Sequence, residues 1–185
     1  DYGLSNALIL DRACRDAGYE YLGICDHSKS AQYAGGLSIE RVIEQQEEIK
    51  QLNAAMAPFR IFSGIESDIL ADGSLDYPDE ILQSFDFIVA SVHSGLRMDK
   101  DKATTRLLKA IENPYTTILG HPTGRLLLSR EGYPLDFEKI LHACADHGVV
   151  VELNAHPYRL DLDWRWIDYA VNLGLQISIN PDAHS

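Results

Sequence analysis

Four histidines, His27, His93, His121 and His184, each stand just past a short apolar run, and Asp26, Glu66, Asp68, Glu152, Asn154 and Asp182 occupy comparable places. Seven histidines placed independently would scatter, so four at equivalent positions point to one shared centre. A set of imidazoles and carboxylates without a thiolate suits zinc, manganese or iron in a reactive site better than a structural zinc. Lys29, Arg97, Arg125 and Arg159 lie just beyond the same positions. Cations around a metal crevice on an acidic chain point to an anionic substrate, with phosphate first. His142 and His147 fall on a helical stretch and read as solvated positions, whereas His156 stays open between a supporting role and a loop residue. The chain carries no GxSxG elbow, phosphate loop or GxGxxG motif, which argues against a serine nucleophile and a dinucleotide site. Cys25, inside an apolar run, reads as a small core residue.

The elements that must position these groups are legible as alternation. Apolar runs at Tyr21 to Cys25, Arg60 to Ile65, Phe87 to Val92, Thr116 to Leu119, Val149 to Leu153 and Leu175 to Ile179 read as buried strands. Between them, helical patterns run over Ala7 to Ala17, Ser38 to Ala55, Ala103 to Ile111, Phe137 to His147 and Trp164 to Leu173, with a short helix over Pro78 to Ser84. Gly or Pro follows most of them, and Ser38 is a good N-cap for the longest. Repeated strand–helix units imply parallel strands, in either an open doubly wound sheet or a closed barrel. In both, the C-terminal strand ends face one crevice, so residues 27, 66, 93, 121, 154 and 182, spaced 27 to 39 apart, converge there.

With 185 residues, 45% hydrophobic and 24% charged, the chain has the composition of one ordinary globular domain spanning 1–185. No apolar run approaches a membrane span. A formal charge of −12 excludes a broad basic surface as a source of nucleic-acid affinity, though contact with a nucleic-acid end is compatible with it. Three scattered cysteines fit a reducing compartment, here read as cytoplasmic. The chain begins at Asp1 without an initiator Met and stops directly after a polar cluster, which reads as an excerpt of a longer protein.

On the segments ICDHS (24–28), GIESDIL (64–70), ASVHSG (90–95), ILGHP (118–122), VELNAHP (151–157) and DAHS (182–185), the chain resembles the PHP (polymerase and histidinol phosphatase) family. GYEYLGICDHSKSA, DGSLDYPDEIL and ILGHPTGRLLLSREGY are most similar to the C-terminal PHP domain of bacterial family X DNA polymerases. The resemblance implies an α/β fold, a distorted seven-stranded β/α (TIM-like) barrel whose first strand, bearing a His-x-His pair, precedes Asp1. It implies up to three divalent metals (Zn, Mn or Fe) held by Asp1, His27, Glu66, His93, His121, Asp182 and His184, with Glu66 bridging. An alternative register puts Tyr2 in the place of Asp1. Two departures from the usual family text are Asn180-Pro181 before Asp182, and His156, where an Asn is commoner.

The activity implied is metal-dependent phosphoester hydrolysis, with Glu66, His93 and Asp182 in catalytic roles and Lys29, Arg97, Arg125 and Arg159 holding phosphate oxygens. The polymerase-linked setting makes the substrate a DNA 3′ end, attacked by a 3′–5′ exonuclease or end-cleaning phosphatase that serves DNA repair beside a polymerase region in the same full-length chain. Two readings compete with it: a small-molecule phosphatase of the histidinol-phosphate type, and a structural module that has lost ligands. The number of ligand matches argues against the latter.

Overall fold

The computed structural model describes residues 13–183, so the expectations for Asp1, Tyr2 and His184 lie outside the described residues. Six parallel strands form one sheet in sequence order: β1 (Tyr21–His27), β2 (Arg60–Asp68), β3 (Phe87–Ser91), β4 (Ile118–Leu119), β5 (Val150–Asn154) and β6 (Ile177–Asn180). Helices α1 (Ile39–Met56), α2 (Asp79–Leu82), α3 (Lys100–Ile111), α4 (Phe137–His147) and α5 (Ile167–Asn172) connect successive strands. A strand order that never reverses has no switch point of the doubly wound kind, and the sheet curls into a half-barrel. Among the described residues, no helix is long and apolar enough to cross a membrane.

Helix starts follow local chemistry. Ser38 Oγ accepts the Arg41 N–H at 3.4 Å, Asp99 caps α3 by accepting from Lys102 N at 2.8 Å, and Asp136 caps α4 through Lys139 N. β4 and the last helix are shorter than their sequence patterns. β4 begins at Ile118 because Thr116 and Thr117 turn their hydroxyls to the backbone: Thr116 Oγ1 donates to Ala110 O, and Thr117 Oγ1 accepts from Ile88 N. The expected helix from Trp164 opens as a 3-10 turn, Trp164–Trp166, capped by Asp163.

Partners across parallel strands point to the same face. The outward face carries Ile65, Ile88, Ala90, Leu119 and Val151 against Leu107 and Ile111 of α3 and Ile140 and Leu141 of α4, all fully or nearly fully buried. The inward face is built in rows: Cys25, Gly64 and Phe87, then His27, Glu66 and Val89, then Asp68 and Ser91. Cys25 is therefore exposed on the inward face, in contrast to its reading as a core residue. Arg106, 4% exposed on α3, ties the ends of two strands together. Its guanidinium donates to Ile69 O, to Leu70 O at 2.8 Å and to Ser94 O at 3.0 Å, fixing the loops just after Asp68 and His93.

The row beneath the polar end depends on a missing side chain. A Cβ on Gly64 would stand 2.2 Å from Phe87 Cζ, so the Phe87 ring occupies the space that the glycine leaves. Gly64→Ala should destabilise the fold by about 1–3 kcal/mol through overpacking. In a Phe87→Leu background the same change should cost markedly less. Urea denaturation of the two single variants and the double variant measures this coupling, and additive costs would contradict the packing.

Candidate metal centre

At the C-terminal end of the barrel wall, Glu66 is the shared partner of three imidazoles. It lies two residues before the end of β2, the longest strand, and is 9% exposed. Its Oε1 lies 3.1 Å from His93 Nε2 and 3.0 Å from His121 Nε2, while its Oε2 lies 3.4 Å from His27 Nδ1. The rings meet edge to face, with centroids 4.9 Å apart for His27 and His93 and 5.1 Å apart for His93 and His121. His27 arrives as the register partner of Glu66 on β1, and His93 and His121 follow β3 and β4 by two residues.

The electrostatics follow from this crowding. Burial pushes the Glu66 carboxyl up, but hydrogen bonds from His121 and His93 outweigh it and hold the group well below the usual carboxylate range. Burial would likewise push His93 down. Its bonds to Asp68 and Glu66 overcome this and raise it to about 9.

Two of the strand-end carboxylates to which the sequence assigns no individual role hold the histidines. Asp68 accepts from His93 Nδ1, which turns Nε2 toward Glu66, the carboxylate–imidazole arrangement that orients metal-bound histidines. The available signal was its position two residues after Glu66, on the same face of β2. Glu152, on β5 and 5% exposed, accepts the His121 backbone N–H at 2.6 Å. Its other oxygen accepts from Asn180 Nδ2 at 2.8 Å. His121 has a φ of +20°, rarely adopted by a residue with a side chain, and the Glu152 bond secures that geometry. The approach requires Gly120, where a Cβ would stand 2.3 Å from Ser91 Oγ.

The remaining expected residues divide between the cluster and its rim. Asp182, at φ +51°, has its carboxylate Oδ2 held by Asn154 Nδ2 at 3.0 Å and Arg159 Nε at 3.2 Å. Asn154 also reaches Glu152, so Asp182 joins the cluster through a chain of polar contacts. Arg125 is engaged elsewhere: its guanidinium donates to Arg159 O at 2.9 Å, to Leu160 O and to Asp163 at 3.0 Å, bracing the loop that carries Arg159. Lys29 and Arg97 are exposed on the loops after β1 and β3, with Lys29 Nζ 5.9 Å from the Tyr77 ring centroid.

The donor set suits a divalent cation. One nitrogen each from His27 and His93 and one Glu66 oxygen lie within 4.8 Å of one another, and His121 Nδ1 is buried without a hydrogen-bond partner among the described residues. Two or three imidazoles and a carboxylate, backed by Asp68, are the ligands expected of a reactive site that keeps an open coordination position.

Comparison with known proteins agrees with this chemistry. No family model matches the chain. The DNA polymerase/3′-5′ exonuclease PolX of Bacillus subtilis is 41% identical over 94% of the chain, and the chain spans 30% of that protein's length. A probable phosphatase of Thermoanaerobacter sp. strain X514 is 30% identical over 74% of the chain, and one of Caldanaerobacter subterraneus is 35% identical over 67%. The chain spans about half the length of these two phosphatases. With the imidazole–carboxylate cluster placed on a curled parallel sheet, these likenesses establish that the chain belongs to the PHP family.

Proposed function

We propose that this chain is a metal-dependent phosphoesterase domain that acts on the 3′ end of DNA, releasing nucleotides or a terminal phosphate, alongside a polymerase region in its full-length protein. The observation that carries the reading is the Glu66 carboxylate set among His27, His93 and His121, with Asp68 fixing the His93 ring. The likeness to a polymerase/exonuclease over 94% of the chain supports a DNA end as substrate. The probable phosphatases, matched over less of the chain, favour a small phosphate ester as the second reading.

His27, Glu66, His93 and His121 would hold the metal, with Asp182, Asp1 and His184 completing up to three sites. Zinc, manganese and iron all suit these ligands. When bound, such a cation supplies the positive charge that polarises a phosphoryl oxygen and acidifies a water. The chain's own groups do the rest. Glu66 and Asp68 set the direction of the imidazoles, Glu152 fixes the backbone at His121, and Asp182 takes the proton of the attacking water. Arg159, at the Asp182 carboxylate, neutralises a non-reacting phosphate oxygen, and Lys29 and Arg97 add charge from exposed loops. In the exonuclease reaction the water oxygen bonds to phosphorus as the bond to the 3′ oxygen breaks. The nucleotide leaves with a 5′ phosphate, and the shortened strand keeps a 3′ hydroxyl.

Three outcomes test this reading. Manganese-supplemented protein should release mononucleotides from a 3′-labelled oligonucleotide, and His93→Ala should lower the rate by about 100-fold or more. No release above the His93→Ala control would favour a structural module, and release of phosphate from small esters alone would favour the second reading. Asp68→Asn should weaken metal affinity by roughly 10–100-fold, as read by competition with a chelating dye. The third outcome concerns pH. His93 in the metal-free fold titrates at about 9, above its ordinary value of about 6.5. Its pairing with Asp68 and Glu66 therefore contributes stability that is fully present below about pH 6.5 and lost as pH rises through about 9. Metal-free melting temperature should fall over that window more steeply for the unaltered protein than for His93→Gln.

A further inference from the structure

Beside the cluster runs a groove of about 440 Å³, of whose lining the catalytic reading uses only Arg159 and Asp182. One wall is the turn carrying Leu126 and Leu128, the other is the segment carrying His156, Tyr158 and Arg159, and Asp182 lies at the junction with the cluster. The two walls are fixed to each other and within themselves. Leu127 N donates to Tyr158 O at 2.6 Å, and Leu126 and Arg130 exchange both backbone bonds at 2.8 Å. His156 Nδ1 accepts from Tyr158 N, and the two rings lie 5.6 Å apart.

Two features of these walls are unfavourable for folding alone. Leu128 is wholly exposed and sits at φ +64°, the left-handed region that a branched apolar residue rarely enters. Tyr158, 64% exposed, presents its ring to solvent on the opposite wall. A strained, exposed leucine and an exposed aromatic ring lining one preformed groove fit a planar apolar ligand better than they fit packing. At one end, Arg159 and the polar chain Asp182–Asn154–Glu152–His121 lead to Glu66. The groove is thus apolar and aromatic along its length and ends in the Arg159–Asp182 ion pair where it meets the metal centre.

We infer that this groove binds the base and sugar of the nucleotide whose phosphate is hydrolysed, with the base between Leu128 and Tyr158 and the phosphate toward Arg159. The inference rests on the phosphoesterase reading for the orientation of the phosphate. Base stacking on an aromatic side chain is tolerant of sequence, as removal of successive 3′ nucleotides requires.

Calorimetric titration with deoxyadenosine 5′-monophosphate and with 2-deoxyribose 5-phosphate isolates the base. The unaltered, manganese-supplemented protein should bind the nucleotide roughly tenfold more tightly than the sugar phosphate. Tyr158→Ala and Leu128→Gly should each shrink this gap to less than about threefold while leaving the sugar phosphate's affinity unchanged. Leu128→Gly also relieves the left-handed strain, so its melting temperature should be no lower than that of the unaltered protein, which separates lost contact from lost fold. Equal affinity of the unaltered protein for the two ligands, absence of binding by either, or a gap that survives both substitutions would overturn the inference. So would a parallel loss of sugar-phosphate affinity in the variants. An affinity gap that behaves as expected in a protein inactive on every phosphate ester would support the groove and sink the phosphoesterase reading instead.

Discussion

A buried carboxylate needs compensating charge, and for Glu66 that need organises one end of the barrel. Its two oxygens face imidazole nitrogens from three different strand ends, so the ends of β1, β3 and β4 must converge to within a few ångströms of the end of β2. The same demand recurs in the surrounding layer. Asp68 fixes His93, Glu152 fixes the backbone of His121, and Arg106 fixes the loops that follow Asp68 and His93. The protein thereby keeps several carboxylates at one barrel end, an arrangement that repels itself unless a cation or shared protons sit among them.

Glycines in the neighbouring rows let the packing around the cluster close up. Gly64 leaves the space that the Phe87 ring occupies in the row below Glu66. Gly120 lets the β4 end approach Ser91 and Glu152 so closely that the next residue, His121, enters at an unusual φ. Binding and catalysis at such a site draw on rigidity of this kind, because a ligand set positions a cation only when its side chains cannot rotate away. The strained backbone at His121 and Asp182 falls at these positions, where surrounding bonds over-determine the geometry.

Much of this was legible in the residues. Apolar runs ending in Asp26-His27, Glu66, His93, His121 and Asp182 announce parallel strands whose C-terminal ends share a crevice, and the structure places those ends side by side in strand order. What the sequence concealed was partnership across long separations. Nothing in the text marks Glu152 as the acceptor for a backbone N–H 31 residues earlier. Arg125 reads like a free phosphate-binding cation, yet three acceptors on the 159–163 loop engage it. Asp68 stood beside Glu66 in plain view, but its bond to His93 depends on the register between β2 and β3, which periodicity does not reveal. Cys25 was misread for a related reason: alternation separates the two faces of a strand without saying which one lines the barrel.

The central claim, that Glu66 and its imidazoles form a metal centre, is most directly tested by anomalous diffraction from crystals grown with manganese, collected on the low-wavelength side of its absorption edge. The account predicts an anomalous peak within about 2.0–2.3 Å of a Glu66 oxygen and of at least one nitrogen from His27, His93 or His121. Well-ordered density for these four side chains, hydrogen-bonded to one another with no anomalous peak between them at millimolar manganese, would contradict it.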